Sequence, residues 1–124
     1  MIVALHYAVK QGDKSSLKNF LDSLTSEQLL RLLVTQDSDG NTVLHFAAQE
    51  GHTETVKSLL DNLGPEQQLN LLSVRNNERM TASWKAAERP GNSDTIIALD
   101  QYKIEADYRV NYRKFASLIN NFER

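Results

Sequence analysis

Apolar residues in this chain fall in short bursts at helical spacing, and nowhere in sustained alternation. Leu17, Phe20 and Leu21, and again Val56, Leu59 and Leu60, sit three and four positions apart, which lines one face of a helix. Two leucine-rich stretches, 24–34 and 63–74, follow these runs. Towards the C-terminus Ile104, Tyr108, Tyr112, Phe115, Ile119 and Phe122 recur at spacings of four, four, three, four and three, an aromatic-rich stripe down a single helix.

The pattern repeats. Shifted by 39 residues, Leu5 falls on Leu44, His6 on His45, Ala8 on Ala47, Gly12 on Gly51 and Leu21 on Leu60. Glu27, Gln28, Leu30, Leu32 and Leu33 then fall on Glu66, Gln67, Leu69, Leu71 and Leu72. The same offset carries Thr42 to Thr81 and Ala47–Ala48 to Ala86–Ala87, and so defines a third unit. Beyond Pro90 the offset is 40, pairing Gly51 with Gly91, Val56 with Ile96 and Leu59 with Leu99, as a one-residue insertion at Pro90 requires.

Each unit reads as three pieces. Thr42 precedes an apolar run and is placed to cap a helix over 41–50, accepting a hydrogen bond from an orphan amide of the first turn. Gly51 stops that helix where a left-handed residue is usually needed. A second helix over 53–62 places Val56, Leu59 and Leu60 in the core, as Leu17, Phe20 and Leu21 are one unit earlier. A third, shorter helix opens at Thr25, which has capping-box spacing to Gln28, and its downstream counterpart opens at Gly64 and Pro65.

The run Asp37, Ser38, Asp39, Gly40, Asn41, Thr42, Val43, Leu44, His45, Phe46, Ala47, Ala48, Gln49, Glu50, Gly51, His52 closely resembles the ankyrin repeat. In that family a hairpin with Asp and Gly leads into a Thr-Pro-Leu-His-x-Ala-Ala helix and a Gly-His turn. Residues 4–21 resemble a first repeat without its hairpin, 37–60 a nearly complete one and 76–99 a degenerate third. The resemblance implies an all-α ankyrin-repeat solenoid over 1–100, with repeats at about 1–36, 37–75 and 76–100, capped by an amphipathic C-terminal helix over 101–124. The family period is about 33 residues, so the extra length should form short added helices in the leucine-rich stretches. Val43 and Ala82 replace the family's proline, a favoured first-turn residue the helix can do without. Arg79 replaces the hairpin glycine, which is expected to distort or open the third hairpin. Ser83 and Trp84 replace Leu and His, so the third repeat must pack differently.

Composition narrows the function. At 40% hydrophobic and 24% charged residues, the chain has the makeup of a folded globular domain. A formal net charge of −2 gives no electrostatic reason to expect nucleic acid or an anionic membrane as partner. The absence of cysteine excludes disulfides and thiolate metal sites and suits the cytoplasm. Residues 1–9 lack the basic start of a signal peptide and contain His6, and no stretch approaches membrane-spanning length.

The three histidines, His6, His45 and His52, are the candidates for acid–base or metal chemistry, but no carboxylates or thiols converge on them in sequence. The resemblance implies structural roles instead. His45 should bond neighbouring backbone through its ring, His52 should belong to the Gly-His turn, and Thr42, Gly51 and Thr81 should complete the framework. There is no phosphate loop, and Ser15, Ser16 and Ser83 lie in no nucleophile motif. No catalytic residue, cofactor or metal is expected.

The resemblance also implies a partner-binding surface at the hairpin tips and the exposed side of each first helix. In the second repeat these positions are Gln36, Ser38, Asp39, Asn41, Gln49 and Glu50. In the third they are Arg75, Asn77, Glu78, Met80, Glu88 and Arg89, and Lys10 and Gln11 extend the row. The reading is a monomeric, non-catalytic module that binds another protein, with dimerisation through the C-terminal helix as the alternative use of the aromatic stripe. Leucine-rich insertions of this kind are similar to those of ankyrin-repeat proteins that intracellular bacteria deliver into host cells, which suggests an effector or adaptor. The start within a repeat at Met1 suggests, alternatively, the regulatory fragment of a larger enzyme. A small hydrolase or transferase would require acidic or histidine residues gathered in a pocket.

Overall fold

The computed structural model describes Val9 and residues 14–122. The expectations placed on residues 1–8 and 10–13, among them the lack of a signal peptide and the roles of His6, Lys10, Gln11 and Gly12, lie outside the described residues. From Lys14 on, the described residues form seven helices in order: α1 (Lys14–Asp22), α2 (Ser26–Leu33), α3 (Val43–Gln49), α4 (Thr53–Asp61), α5 (Pro65–Ser73), α6 (Ala82–Ala87) and α7 (Ser93–Phe122). No strand occurs among the described residues.

Local chemistry sets most of the boundaries. Thr25 starts α2 with a reciprocal cap: its Oγ1 accepts from the Gln28 amide at 3.2 Å, and Gln28 Oε1 accepts from the Thr25 amide at 3.1 Å. Pro65 occupies the first turn of α5, where its missing N–H costs nothing, and Gln67 Oε1 reaches back to the Gly64 amide at 3.1 Å. The helix α3 ends in a left-handed glycine, Gly51 at φ 72°. There the Gly51 amide donates to Ala48 O and the His52 amide to Ala47 O, which satisfies two orphan carbonyls. The leucine-rich insertions are thus the two added helices α2 and α5, as the excess over the family period implied.

The core is one apolar cluster running through the stack. Leu33, Val43, Leu44, Val56, Leu59 and Leu60 are fully buried, joined by Leu17, Leu21, Leu71 and Leu99. Each such side chain contributes about 1.5–3 kcal/mol of transfer free energy. Helix α3 packs on α6, the first helices of adjacent repeats, while α7 packs on α4, α5 and α6.

The C-terminal region departs from expectation in two ways. The second helix of the third repeat does not stop near residue 100, because α7 runs unbroken for 30 residues from Ser93 to Phe122. Its counterpart α4 ends before Gly64 and Pro65, whereas no glycine or proline falls between 93 and 122. The aromatic stripe, moreover, is not what covers the stack. Ala98, Leu99 and Ala106 are the buried positions of α7, with Tyr102 partly buried beside them. Ile104, Tyr108 and Phe115 are 68%, 67% and 60% exposed, because they lie on the opposite side of the same helix.

Candidate partner-binding surface

The hairpins that lead into α3 and α6 are built on one plan. In the second repeat the Asp37 amide donates to Asn41 O at 3.0 Å and the Gly40 amide to Asp37 O at 2.9 Å. Asp37 Oδ1 accepts from the amides of Asp39 and Asn41, each at 2.9 Å. In the third, Asn76 takes the place of Asp37, accepting from the Glu78 and Met80 amides at 2.9 and 3.0 Å, and the Arg79 amide closes the turn on Asn76 O at 2.9 Å. The expected distortion is therefore absent: Arg79 adopts φ 65° and the hairpin stays closed. A Cβ on Gly40 would sit 2.6 Å from the Asn77 amide nitrogen of the next hairpin. Gly40 is thus confined by its neighbour as well as by its φ of 81°, whereas exposed Arg79 carries the conformational cost alone.

The two hairpins are bolted together. The Asn77 amide donates to Asp39 O and its side-chain amide to Ser38 O, both at 2.9 Å. Gln36 Nε2 donates to Gly40 O at 2.7 Å and across the repeats to Arg75 O at 2.9 Å. Asn76 Nδ2, a donor that an aspartate would lack, reaches Asn41 Oδ1 at 2.9 Å. Asn41, expected among the free tip positions, is therefore buried and holds the repeats together, because its side chain turns inward onto the next hairpin.

His45 is the second bolt. Its ring is 1% exposed. Nδ1 accepts from the Thr42 amide at 3.1 Å, and Nε2 donates to Met80 O, 35 residues away, at 2.8 Å. An amide can only donate and a carbonyl only accept, so the ring is the neutral Nε2–H tautomer. Burial holds its pKa below the usual histidine value; the bond to Met80 opposes that shift and the Lys85 charge adds to it. Thr42 Oγ1 meets Nδ1 at 2.9 Å and accepts from the His45 amide at 3.4 Å. The third repeat has no such unit. Trp84 stands at the His45 position and is 65% exposed, and Thr81 begins α6 without a side-chain cap.

Of the proposed contact positions, Ser38, Asp39, Arg75, Asn77, Glu78, Glu88 and Arg89 are exposed, and Gln49, Glu50 and Met80 half-buried. Gln36 is exposed, but its amide is spent on the inter-repeat bonds. One ion pair crosses the repeats, Glu50 with Arg89 at 3.4 Å, and within the third repeat Lys85 pairs with both Glu88 at 3.2 Å and Glu78 at 3.6 Å. Lys85, largely buried, joins the third hairpin tip to the end of α6 and went unnoticed in the sequence. It stands at the position of Phe46, and that change from apolar to cationic between repeats was the available signal. Asn92 was missed too. Its Nδ2 donates to Gln49 O at 3.1 Å and Ala86 O at 3.0 Å, fastening the ends of α3 and α6.

Among the described residues no three His, Asp or Glu side chains gather as a metal ion would need, and no helix is long and apolar enough to cross a membrane. A groove of about 760 Å³ lies between α5, α6 and α7, floored by Leu69, Leu72 and Trp84 and rimmed by Glu66, Asp100, Lys103 and Asp107. No histidine lines it.

A family model described as ankyrin repeats matches residues 5–111 as three copies. The chain belongs to the ankyrin-repeat family. Ankyrin repeats are general protein–protein interaction modules, and the fold is a non-catalytic one. No curated protein matches this ankyrin-repeat chain. The family assignment accounts for the stacked hairpins, the Thr42–His45 cap and the glycine stop of α3.

Proposed function

We propose that this ankyrin-repeat chain is a non-catalytic module that grips a partner protein with its hairpin tips and the outward side of α3 and α6. The supporting observation is the rigid register of the two hairpins. Four side-chain and backbone bonds fix them before any partner arrives, so Ser38, Asp39, Asn77 and Glu78 are presented with little backbone ordering cost at binding. The leucine-rich insertions α2 and α5 support an effector or adaptor setting, by their similarity to repeat proteins delivered by intracellular bacteria.

The test is affinity capture from eukaryotic and bacterial lysates with the parent and an Asp39→Lys, Glu78→Lys variant whose circular dichroism matches it. A partner retained by the parent and lost by the variant supports the tip surface. Equal capture by both removes it.

A further inference from the structure

The face that α7 turns away from the repeats has the period of a coiled-coil seam. From 97 to 118, positions alternating by four and three are Ile97, Gln101, Ile104, Tyr108, Asn111, Phe115 and Leu118, all exposed, five of them apolar. Tyr108 and Tyr112 stack with ring centroids 6.2 Å apart, which firms the middle of this ridge. The buried residues Leu99 and Ala106 lie on the opposite side, so a second helix can run along the seam without meeting the repeats.

We infer that two copies of this chain dimerise through α7, with the helices antiparallel. Charge decides the direction. Asp100, Glu105 and Asp107 flank the first half of the seam and Lys114 the second, whereas Arg109 and Arg113 lie on the side of buried Ala106, paired with Glu105 and Glu66. In antiparallel pairing the acidic flank of one helix meets the flank of the other that holds Lys114. It brings Asp107 to Lys114 of the second copy, twice by symmetry, and among the described residues neither has an ion pair within its own chain. Parallel pairing would set Asp100 beside Glu105 of the other copy, and like charges there repel. Seven apolar side chains of α7, including Ile119, are 41–68% exposed. At roughly 100 Å² each they offer about 700 Å² per chain, close to the ~800 Å² per partner of a standard interface. Asp100, Glu105 and Asp107 beside the seam do not suit an anionic membrane surface. The inference is independent of the hairpin-tip reading.

The experiment is sedimentation equilibrium of the full chain. At about 100 μM chain the expected mass is twice 14.1 kDa. Ile104→Asp with Phe115→Asp should give a monomer with unchanged circular dichroism, since both residues are exposed. Asp107→Lys should raise Kd about fivefold, and Asp107→Lys with Lys114→Asp should restore it. A monomeric parent, a dimer untouched by the Ile104 and Phe115 changes, or a double reversal as weak as the single one would each overturn the antiparallel dimer. So would a monomer that co-sediments with phosphatidylserine vesicles, which would give the face to a membrane instead.

Discussion

Replacing His45 by alanine tests the repeat interface most directly. The substitution removes a fully buried ring together with its bonds to the Thr42 amide and to Met80 O. The Thr42 amide is then stranded at about 1–3 kcal/mol, Met80 O keeps only its bond from the Asn76 amide, and a cavity replaces the imidazole. Water admitted to that cavity offsets part of the loss, so the expected cost is about 3 kcal/mol of the 5–15 kcal/mol typical of a domain. Urea unfolding followed by circular dichroism reads it as a lower midpoint at unchanged slope. A loss under about 1 kcal/mol would refute the idea that this ring joins the repeats. The same group sets a pH dependence. Its folded pKa is lowered by burial, so as pH falls below about 6.5 the unfolded chain takes up the proton first and stability declines. The decline continues until pH reaches the folded pKa. Above about pH 6.5 the contribution is fully present. The His45→Ala variant should lack this part of the slope between about pH 6.5 and 5, before carboxylates titrate.

Thr42→Ala should cost about 1–2 kcal/mol and Thr81→Ala under about 0.5 kcal/mol, because only Thr42 caps its helix through its side chain; equal costs in chemical denaturation would contradict that geometry. Gly40→Ala should cost about 3 kcal/mol and Gly91→Ala about 1 kcal/mol. Both glycines have positive φ, but a Cβ on Gly40 meets Asn77 while one on Gly91 meets nothing within 4 Å. Similar melting losses for the two would remove the hairpin contact from the explanation. Asp39→Ala should leave stability within about 0.5 kcal/mol, since its backbone makes the inter-hairpin bond, and should weaken capture of any partner that uses the tips.

Elements whose cause is local were legible in the residues. The caps at Thr25 and Thr42, the glycine stop at Gly51 and the Gly64–Pro65 start of α5 each depend on side chains within a few positions, so spacing alone revealed them. Offset matching exposed the repeat, and the family resemblance carried on its residues implied the structural duty of His45. The contact row was legible only coarsely. Which polar residue at a tip faces solvent and which faces the next repeat is not a local property. Asn41 and Asp39 look alike in sequence, yet Asn41 turns inward to meet Asn76 while Asp39 stays exposed.

The sequence by itself determined the helical repeat, its family and the apolar positions of its core, because periodic burial and short-range capping are written in consecutive residues. Only the tertiary structure decided what happens at the third repeat, onto which no fourth hairpin packs among the described residues. There Arg79 can hold a glycine's conformation because no following hairpin crowds it. Trp84 is exposed where a buried histidine would bond to a neighbour. With no glycine or proline to turn it back, α7 runs past the repeats and leaves its aromatic face in solvent. Each outcome depends on which neighbour is present in space, and that is information the chain carries only once folded.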